Sequence, residues 1–376
     1  MKLNLSEKII LDIISFNSHI SRKQLAERSD LSQGSLTNIT KHLIDEGFIQ
    51  EGDRIGQGMG RKEVLLYSNP KKFHFLGVDM GGHKARFAIA NNNLEIIASS
   101  QIHMKDLDTV EQKPEFLINE IRLLLENSRI PQQSIAAIGF GITGIVDVGS
   151  KSVLNIPNRK NWDNVNLIDP IGAAFGCPVF LEESGRTMAL GERKLGKAKH
   201  FNDFIVVHVG HGVAAGIFIN GQMMRGVNNT AGLLGHITAD PTGNKCLCGN
   251  YGCLENIITF PMLDREYIQQ NGEYDNIVNG YNYRDKVAIG TCIKAGTAFG
   301  IALSNVVNLF NPQALFIGGP MFDLMPLLLE ETKRTIILRG NRFSTLNLDI
   351  EKTSYGENEG IIGALVLAKT KLIELI

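Results

Sequence analysis

The chain has 376 residues, of which 43% are hydrophobic and 20% are charged, and its formal net charge is −1. This composition indicates a globular protein of two or three domains and excludes a disordered or fibrous chain. A near-neutral total does not exclude nucleic-acid binding, because a small basic face can be masked in the sum. The chain does not open on a basic and apolar leader, and its longest apolar run, 289–310, is interrupted by polar residues. We therefore expect a cytoplasmic protein without a membrane span.

The first 50 residues have the pattern of a helix-turn-helix. Apolar residues at helical spacing predict a first helix over 6–18, and a capping box of Ser21 and Gln24 begins a second. Ser32 can cap a third helix that ends at Gly47. On the face opposite its apolar stripe, the third helix carries polar side chains that can meet base edges and phosphates of DNA. These side chains are Gln33, Ser35, Thr37, Asn38 and Lys41.

A glycine-rich, basic segment follows, flanked by strand-like runs at 48–50 and 64–67. This is the pattern of a winged hairpin, in which glycines allow close approach to DNA and arginines can enter the minor groove. The basic residues of the wing are Arg54, Arg61 and Lys62. The alternative is a three-helix protein-interaction module with a solvated loop. Charge does not decide between them, because residues up to 72 hold 11 Lys+Arg against 9 Asp+Glu.

A cysteine cluster spaced Cys246-x-Cys248-x4-Cys253 lies near the middle of the chain, with His236 ten residues upstream. Three thiolates and one imidazole make the four-ligand set of a tetrahedral structural zinc ion. Closely spaced cysteines without a secretion signal indicate a metal site more often than a disulfide. The alternative is a set of reduced cysteines in a surface loop. We predict a structural Zn²⁺ ion on these four residues.

This cluster resembles the signature of the ROK family, which contains sugar-responsive repressors and sugar kinases. The family pattern is Glu-x-Gly-His followed by Cys-x-Cys-Gly-x-x-Gly-Cys-x-Glu. The chain departs from it at Leu233, where the pattern has a glutamate that holds a sugar hydroxyl. The resemblance covers nearly the whole chain, and the wing and third helix match the DNA-binding arm that ROK repressors have and ROK kinases lack. The matching positions are Gly235, His236, Cys246, Cys248, Gly249, Gly252, Cys253 and Glu255.

The resemblance implies a winged helix-turn-helix followed by a two-lobed, actin-like α/β ATPase fold, that of the ROK sugar kinases. Strands followed by glycine turns, which begin near Val78 and Val207, suggest that the two lobes are duplicates. A linker is expected at 69–72. The expected domains are a DNA-binding domain at 1–70, a first lobe at 73–182 with a closing helix at 357–376, and a zinc-containing second lobe at 183–356.

The positions that serve catalysis in ROK kinases are altered in this chain. Ser184 stands at the position of the catalytic aspartate, and Glu183 replaces the preceding asparagine. Serine cannot accept a proton near neutral pH, and loss of a general base costs about 10² to 10⁴ in rate. Both phosphate loops exchange threonine for histidine, at His83 and His211, and we expect both rings to line one cavity. Two explanations remain open. Either each threonine changed to histidine independently and without a function, or the two histidines form a new anion-binding site whose affinity rises as pH falls through roughly 6.5.

The resemblance implies a sugar or sugar phosphate bound in the cleft by Asn158, Glu183, Ser184, His236 and Glu255. Without the resemblance, Asn158 could equally be an asparagine in a polar turn. We expect a non-enzymatic transcriptional repressor of carbohydrate-metabolism genes that binds palindromic DNA as a homodimer or homotetramer. One alternative is an active sugar kinase with an added DNA-binding arm. The other is a repressor released by a protein partner.

Overall fold

The computed structural model describes residues 2–17, 19–55, 63–157, 159 and 161–376. The N-terminal elements are α1 (Leu5–Ser15), β1 (Ile20–Ser21), α2 (Arg22–Ser29), α3 (Gln33–Asp45), β2 (Ile49–Ile55) and β3 (Glu63–Ser68). The strands pair antiparallel in the order β1-β3-β2. Helices α1 and α2 pack on α3, and the strands form the wing sheet beside them.

The predicted caps begin the helices of this domain. The Ser21 hydroxyl accepts the backbone N–H of Gln24, and the Gln24 side chain accepts the backbone N–H of Ser21 in return. Ser32 accepts the N–H of Ser35 at the start of α3. Strands β2 and β3 extend beyond the predicted runs, because pairing between them orders residues whose own sequence is not strand-like.

The first lobe follows the winged helix. Its elements are β4 (His74–Met80), β5 (Lys84–Asn91), β6 (Ile96–His103), α4 (Met104–Asp108), α5 (Lys113–Ser128), β7 (Ile135–Ile142), β8 (Ile145–Asp147), β9 (Ser152–Asn155), β10 (Val165–Asn166), α6 (Ile168–Phe175) and β11 (Val179–Glu183). Five strands form a sheet in the order β11-β7-β4-β5-β6, and β10-β9-β8 form a small separate sheet. Apolar side chains of α5 and α6 pack on the large sheet and form the first core.

The second lobe repeats this arrangement. Its elements are α7 (Ser184–Lys194), β12 (Phe204–Val209), β13 (Val213–Ile219), β14 (Gln222–Met223), α8 (Glu255–Ile258), α9 (Phe260–Gln269), α10 (Ile277–Asn282), α11 (Lys286–Phe310), β15 (Ala314–Gly318), α12 (Met321–Leu324), α13 (Pro326–Arg339), α14 (Arg342–Thr345) and β16 (Asp349–Lys352). Its sheet has the order β14-β13-β12-β15-β16. In both sheets two strands follow the first strand on one side through antiparallel pairings, and two follow it on the other side through parallel pairings. This repeat confirms the predicted two-lobed, actin-like fold.

The last helix, α15 (Glu359–Leu375), lies against β4, β7 and α7. In this contact the backbone of α15 packs directly against the backbones of β7 and α7, with no side chain between them. A Cβ atom on Gly139 of β7 would lie 2.2 Å from the carbonyl oxygen of Ala364. A Cβ atom on Gly363 would lie 2.4 Å from the carbonyl oxygen of Thr187. Glycine is required at these close approaches, and they join the first sheet, α15 and α7 into one packed unit.

The winged helix shares a hydrophobic core with the first lobe. Ile14 of α1 belongs to the same buried cluster as Phe75 of β4 and Leu372 of α15. An ion pair reinforces this contact, since the Nζ atom of Lys194 at the end of α7 lies 2.7 Å from the carboxylate of Asp12 in α1. The winged helix is therefore docked on both α7 and α15.

The predicted linker at 69–72 is held from both sides. The side-chain amide of Asn69 donates to the carbonyl oxygen of Gly47 at 3.0 Å, in the winged helix. The carbonyl oxygen of Asn69 accepts from the side-chain amide of Asn92 at 2.9 Å, in the first lobe. Because each side supplies a partner, the linker forms a fixed turn between the two domains.

Helix α11 is the one helix, among the residues that the structure describes, that is long and apolar enough to cross a membrane. This is weak evidence for a span, because a core helix passes the same test. In α11, 56% of the apolar window is buried, and the helix packs along α13 in the core of the second lobe.

A buried lysine lies at the junction of the winged helix and the body. Lys369 of α15 is 1% exposed, and its ammonium donates to the carbonyl oxygens of Ser15, at 3.2 Å, and of Asn92. The Nζ atom also lies 5.4 Å from the centroid of the Phe16 ring. Burial lowers the pKa of Lys369 to about 7, and the nearby charge of Asp12 opposes this shift only in part.

This pKa predicts a pH-dependent stability. Because the folded-state pKa of Lys369 lies below the unfolded-state value of 10.5, the unfolded chain binds more protons between pH 7 and about 10. The free energy of unfolding should rise over this window by roughly a few kcal/mol, and the Lys369→Met variant should lack this rise. Chemical denaturation at several pH values measures the difference. Lys371→Met, at a half-exposed neighbour, is the control. Identical pH profiles for wild type and Lys369→Met would contradict the prediction.

Candidate ligand-binding cleft and metal centre

A cleft with a volume of about 910 Å³ lies between the two lobes. The turns after β4, β7, β11 and β12 contribute to its lining, because parallel strands place their carboxyl ends at the same edge of a sheet. Four of the five predicted ligand-binding residues line this cleft. They are Glu183, Ser184, His236 and Glu255. Asn158 lies outside the described residues, although its neighbours Pro157 and Arg159 line the cleft.

Glu183 and Ser184 form the junction of β11 and α7. The Glu183 carboxylate caps α7 by accepting the backbone N–H groups of Gly185 at 2.9 Å and Arg186 at 3.1 Å. It also accepts the Ser184 hydroxyl at 3.1 Å, and burial raises the pKa of Glu183. The Ser184 oxygen lies 3.3 Å from the hydroxyl of Thr143. The only carboxylate at this junction that lines the cleft is therefore engaged as a helix cap.

Two arginines share one buried carboxylate beside this junction. The Nε atom of Arg186 lies 2.7 Å from Glu182, and Arg225 also pairs with Glu182. Arg186 is 1% exposed, lines the cleft, and donates to the carbonyl oxygen of Ala231 at 3.2 Å. Sequence reasoning gave these residues no role. The i, i+4 spacing of Glu182 and Arg186 was the available signal, but only the fold brings Arg225 to the same place.

A second charged cluster lies where the two lobes and α15 meet. The carboxylate of Asp79, at the end of β4, lies 2.6 Å from the guanidinium of Arg86. Burial raises the pKa of Asp79, although Arg86 opposes this shift. The ring of His208 in β12 lies 2.6 Å from Glu359 at the start of α15. Burial acts to lower the pKa of His208, but the charge and hydrogen bond of Glu359 together with the charge of Asp79 outweigh it, so the pKa of His208 is raised. Sequence reasoning did not predict this cluster, since its members come from three distant segments of the chain.

The predicted metal ligands converge. The ligand atoms of His236, Cys246, Cys248 and Cys253 all lie within 4.8 Å of one another. The Cys246 sulfur is 3.8 Å from Nδ1 of His236, and the Cys248 and Cys253 sulfurs are 3.6 Å apart. A tetrahedral ion with metal–sulfur bonds of about 2.3 Å requires ligand separations of about 3.8 Å. The four residues thus fit one metal ion.

The metal-ligand cluster borders the cleft directly. Gly252 makes the turn before Cys253 with a φ of +63°, and a Cβ atom there would lie 1.6 Å from the carbonyl oxygen of Asp240. Glu255 follows at the start of α8, and its carboxylate accepts the N–H of Val213 at 3.2 Å. An ion bound by the cluster would thus hold His236 and the start of α8 against the cleft wall.

The histidines of the two glycine turns meet. The rings of His83 and His211 stack with their centroids 5.0 Å apart and their planes 6° apart. The expectation that both rings line the cleft is wrong in part, since the lining includes His211 but not His83. His83 instead makes an edge contact with His103, with centroids 5.2 Å apart. The strand register explains this contact, because His103 of β6 pairs with Lys84, the residue after His83.

The residues predicted to contact DNA lie on the surface of the winged helix. Those on α3 are exposed on the face opposite Leu36, Thr40 and Leu43, which are buried. The exposed residues of α3 are Gln33, Ser35, Thr37, Asn38 and Lys41. Arg54 of β2 is also exposed, and Arg61 and Lys62 lie outside the described residues.

Known protein families match both parts of the chain. The model of the ROK family matches residues 75–371, and a model of winged helix-turn-helix DNA-binding domains matches residues 3–50. The xylose repressor of Bacillus spizizenii is 30% identical over 95% of this chain and 93% of its own length. Among solved structures, a ROK family transcriptional regulator that is a homolog of the E. coli MLC protein is similar with a TM-score of 0.80. It is 25% identical and covers 98% of this chain and 97% of its own.

A ROK family glucokinase from Streptomyces griseus, in complex with glucose and AMPPNP, is similar to a smaller part of the chain. Its TM-score is 0.67 at 25% identity, and the match covers 79% of this chain and 99% of the kinase. The fold and the cleft therefore define a two-lobed sugar-kinase architecture with an added winged helix. The chain belongs to the ROK family, as its motifs predicted.

The geometry of the cysteine cluster predicts one bound metal ion per chain. Cys248→Ser removes a charged ligand, so the variant should lose the metal and its unfolding temperature should fall by several degrees, because an ion that binds only the folded state stabilises it. Elemental analysis and thermal unfolding of freshly purified protein measure both effects. Cys177→Ser, outside the cluster, is the control. A Cys248→Ser variant with unchanged metal content and stability would contradict the assignment.

Proposed function

We propose that this protein is a cytoplasmic, DNA-binding transcriptional repressor of carbohydrate-metabolism genes, controlled by a sugar or sugar phosphate in the cleft. The observation that carries the proposal is the docking of a winged helix, with α3 exposed, on a kinase-like body that has Ser184 in place of a catalytic base. The similar proteins described above include a xylose repressor and a transcriptional regulator.

The cleft has the size and chemistry of a small-ligand site. Its volume of about 910 Å³ falls within the usual range of about 300 to 1,000 Å³ for such sites. Its wall combines hydroxyl, carboxylate and guanidinium groups, as at Ser184, Glu255 and Arg186. These groups suit the many hydroxyls of a sugar, since they can donate and accept several hydrogen bonds within one cavity.

Helix α7 gives the ligand a route to the DNA-binding domain. The helix begins at Ser184 in the cleft and ends at Lys194, which pairs with Asp12 of the winged helix. Nearby, the ammonium of Lys199 donates to the carbonyl oxygen of Phe16 at 3.0 Å. A ligand that shifts the start of α7 would therefore change how α1 packs on the body of the protein. This is a rigid-element coupling of the kind that packed helices transmit.

The chemistry of the metal cluster favours zinc. Three thiolates and one imidazole are the ligands of closed structural zinc sites. We also infer that the repressor binds palindromic DNA as a homodimer or homotetramer, because one winged helix reads a half-site. The division into domains at 1–70, at 73–182 with 357–376, and at 183–356 belongs to the same proposal.

The proposal predicts specific DNA binding through α3. Lys41→Ala should weaken binding to all sequences alike and reduce the slope of log affinity against log salt by about one, because one phosphate contact is lost. Asn38→Ala should instead relax sequence preference. Full-length protein is titrated with duplexes selected from random DNA, and Lys286→Ala, on the second lobe, is the control. Binding that survives deletion of residues 1–70 would overturn the proposed function.

The alternative function is an active sugar kinase, and the geometry of the site supports a repressor over a kinase. Ser184 offers no base, Glu183 is used as a cap, and the stacked rings of His83 and His211 lie between the glycine turns that hold nucleotide phosphates in ROK kinases. We expect no sugar-dependent ADP release with ATP and common hexoses, in an assay where a ROK glucokinase is the positive control. Ser184→Asp alone should not restore turnover. Sugar-dependent ADP release by the wild type above that of a buffer blank would instead establish an active kinase.

A further inference from the structure

The two glycine turns of the cleft touch each other. A Cβ atom on Gly82, in the turn after β4, would lie 3.1 Å from the Cβ atom of His211 in the turn after β12. The stacked pair of His83 and His211 fills this contact, and His103 meets the edge of His83. Three imidazoles drawn from three separated segments thus lie together beside the cleft, and the His211 ring belongs to its lining.

The charges that act on these rings are positive. Burial lowers the pKa of His83, and His103, Lys84, Lys105 and Arg159 lower it further. Burial, His83 and Arg159 lower the pKa of His211. The groups that act most on the two rings are thus cations or imidazoles that can become cations.

Arg159 is fixed at the same place. Its guanidinium bonds to the carboxylate of Asp108 at 2.5 Å and to the carbonyl oxygen of Gly82. These contacts hold the side chain, which is only 11% exposed, in one orientation. A guanidinium has five N–H donors, so these two bonds leave donors for a further acceptor. Arg159, Gly82 and His211 all line the cleft.

The same cleft has no free carboxylate beside Ser184. A phosphorylated hydroxyl would meet the neutral oxygens of Ser184 and Thr143, 3.3 Å apart, and the cap bonds already occupy the carboxylate of Glu183. The two backbone N–H groups and the Ser184 hydroxyl offset part of the charge on the Glu183 carboxylate, so a second negative charge is repelled less than it would be by an uncapped aspartate at position 184. The cleft thus offers hydroxyl groups for a sugar and, toward the glycine turns, cations for an anion.

We propose that His211 and Arg159, with His83 stacked on His211, form a phosphate-binding subsite, and that the effector in the cleft is a phosphorylated monosaccharide. This inference rests on the proposed function and names the ligand class for the same cleft. The His211 ring and the guanidinium bind the phosphate oxygens, and His83 stacks on His211 and adds positive charge when it is protonated. Asp108 keeps the guanidinium in place. His103, Lys84 and Lys105 supply the surrounding positive potential.

The subsite binds anions more tightly when its imidazoles are protonated. Because the pKa values of His83 and His211 lie below 6.5 in the free protein, binding should tighten mainly below that pH. The pH range in which anion binding tightens is therefore lower than the value of roughly 6.5 that the sequence alone suggested. Sulfate is the appropriate probe, since it stays a dianion over this range while a phosphate monoester titrates near pH 6.

Calorimetric titration of full-length protein with sulfate tests the subsite. We expect affinity at pH 5.5 to exceed that at pH 8 by about tenfold, and the His83→Gln/His211→Gln variant to lose about tenfold at pH 5.5, because each charged hydrogen bond contributes about 1.5 to 3 kcal/mol. His200→Gln, an exposed histidine elsewhere, is the control and should bind as wild type does. Equal affinity of wild type and the double variant, or equal affinity at both pH values, would overturn the subsite.

Competition experiments identify the source of the phosphate. Hexose and pentose phosphates are tested against bound sulfate beside their parent sugars and inorganic phosphate. Displacement by at least one sugar phosphate, at concentrations where its parent sugar and inorganic phosphate fail, supports the proposal. Displacement by inorganic phosphate alone, or by none of the sugar phosphates, overturns it. These readouts do not involve DNA, so a failure of DNA binding would overturn the proposed function and leave the sulfate result interpretable.

Discussion

The contact of α15 with β7 and α7 is the constraint on which the rest of the structure depends. At Gly139 and Gly363 the backbones are too close for any side chain, so the helix cannot shift without opening the core that it shares with the winged helix. The start of α15 places Glu359 beside His208 at the cleft. Its end carries Leu372 and Lys369 into the junction with the winged helix. One rigid element therefore touches both the ligand cleft and the DNA-binding domain.

Helix α7 forms a second such connection, because it begins at the cleft and ends at the winged helix. In a kinase this helix would begin beside a catalytic carboxylate. Here Ser184 is neutral, and Glu183 stabilises the first turn by accepting two backbone N–H groups. The charge that remains near the cleft is held in pairs, such as Arg186 with Glu182 and Arg86 with Asp79. Such pairs are costly to break when buried, so they keep the cleft in a defined shape.

Local signals in the sequence predicted the elements whose physics is local. The caps at Ser21 and Ser32 begin helices because their side chains satisfy N–H groups within the next three residues. The metal ligands could be predicted because three of them lie within eight residues of one another in the chain. The ends of β2 and β3 were underestimated, since strand pairing depends on a partner that local pattern does not show. The role of Arg225 was missed because its partner, Glu182, lies 43 residues away in the chain.

The sequence by itself determined the family and the combination of a winged helix with an actin-like body, because both depend on which residues occur at fixed spacing. Only the tertiary structure decided how these parts are connected. It placed His83 against His103 as well as His211, made the linker a fixed turn, and brought Lys194 to Asp12. Those contacts join residues up to 182 positions apart. Their geometry comes from the packing of α7 and α15 on the two sheets, and no local pattern in the chain encodes it.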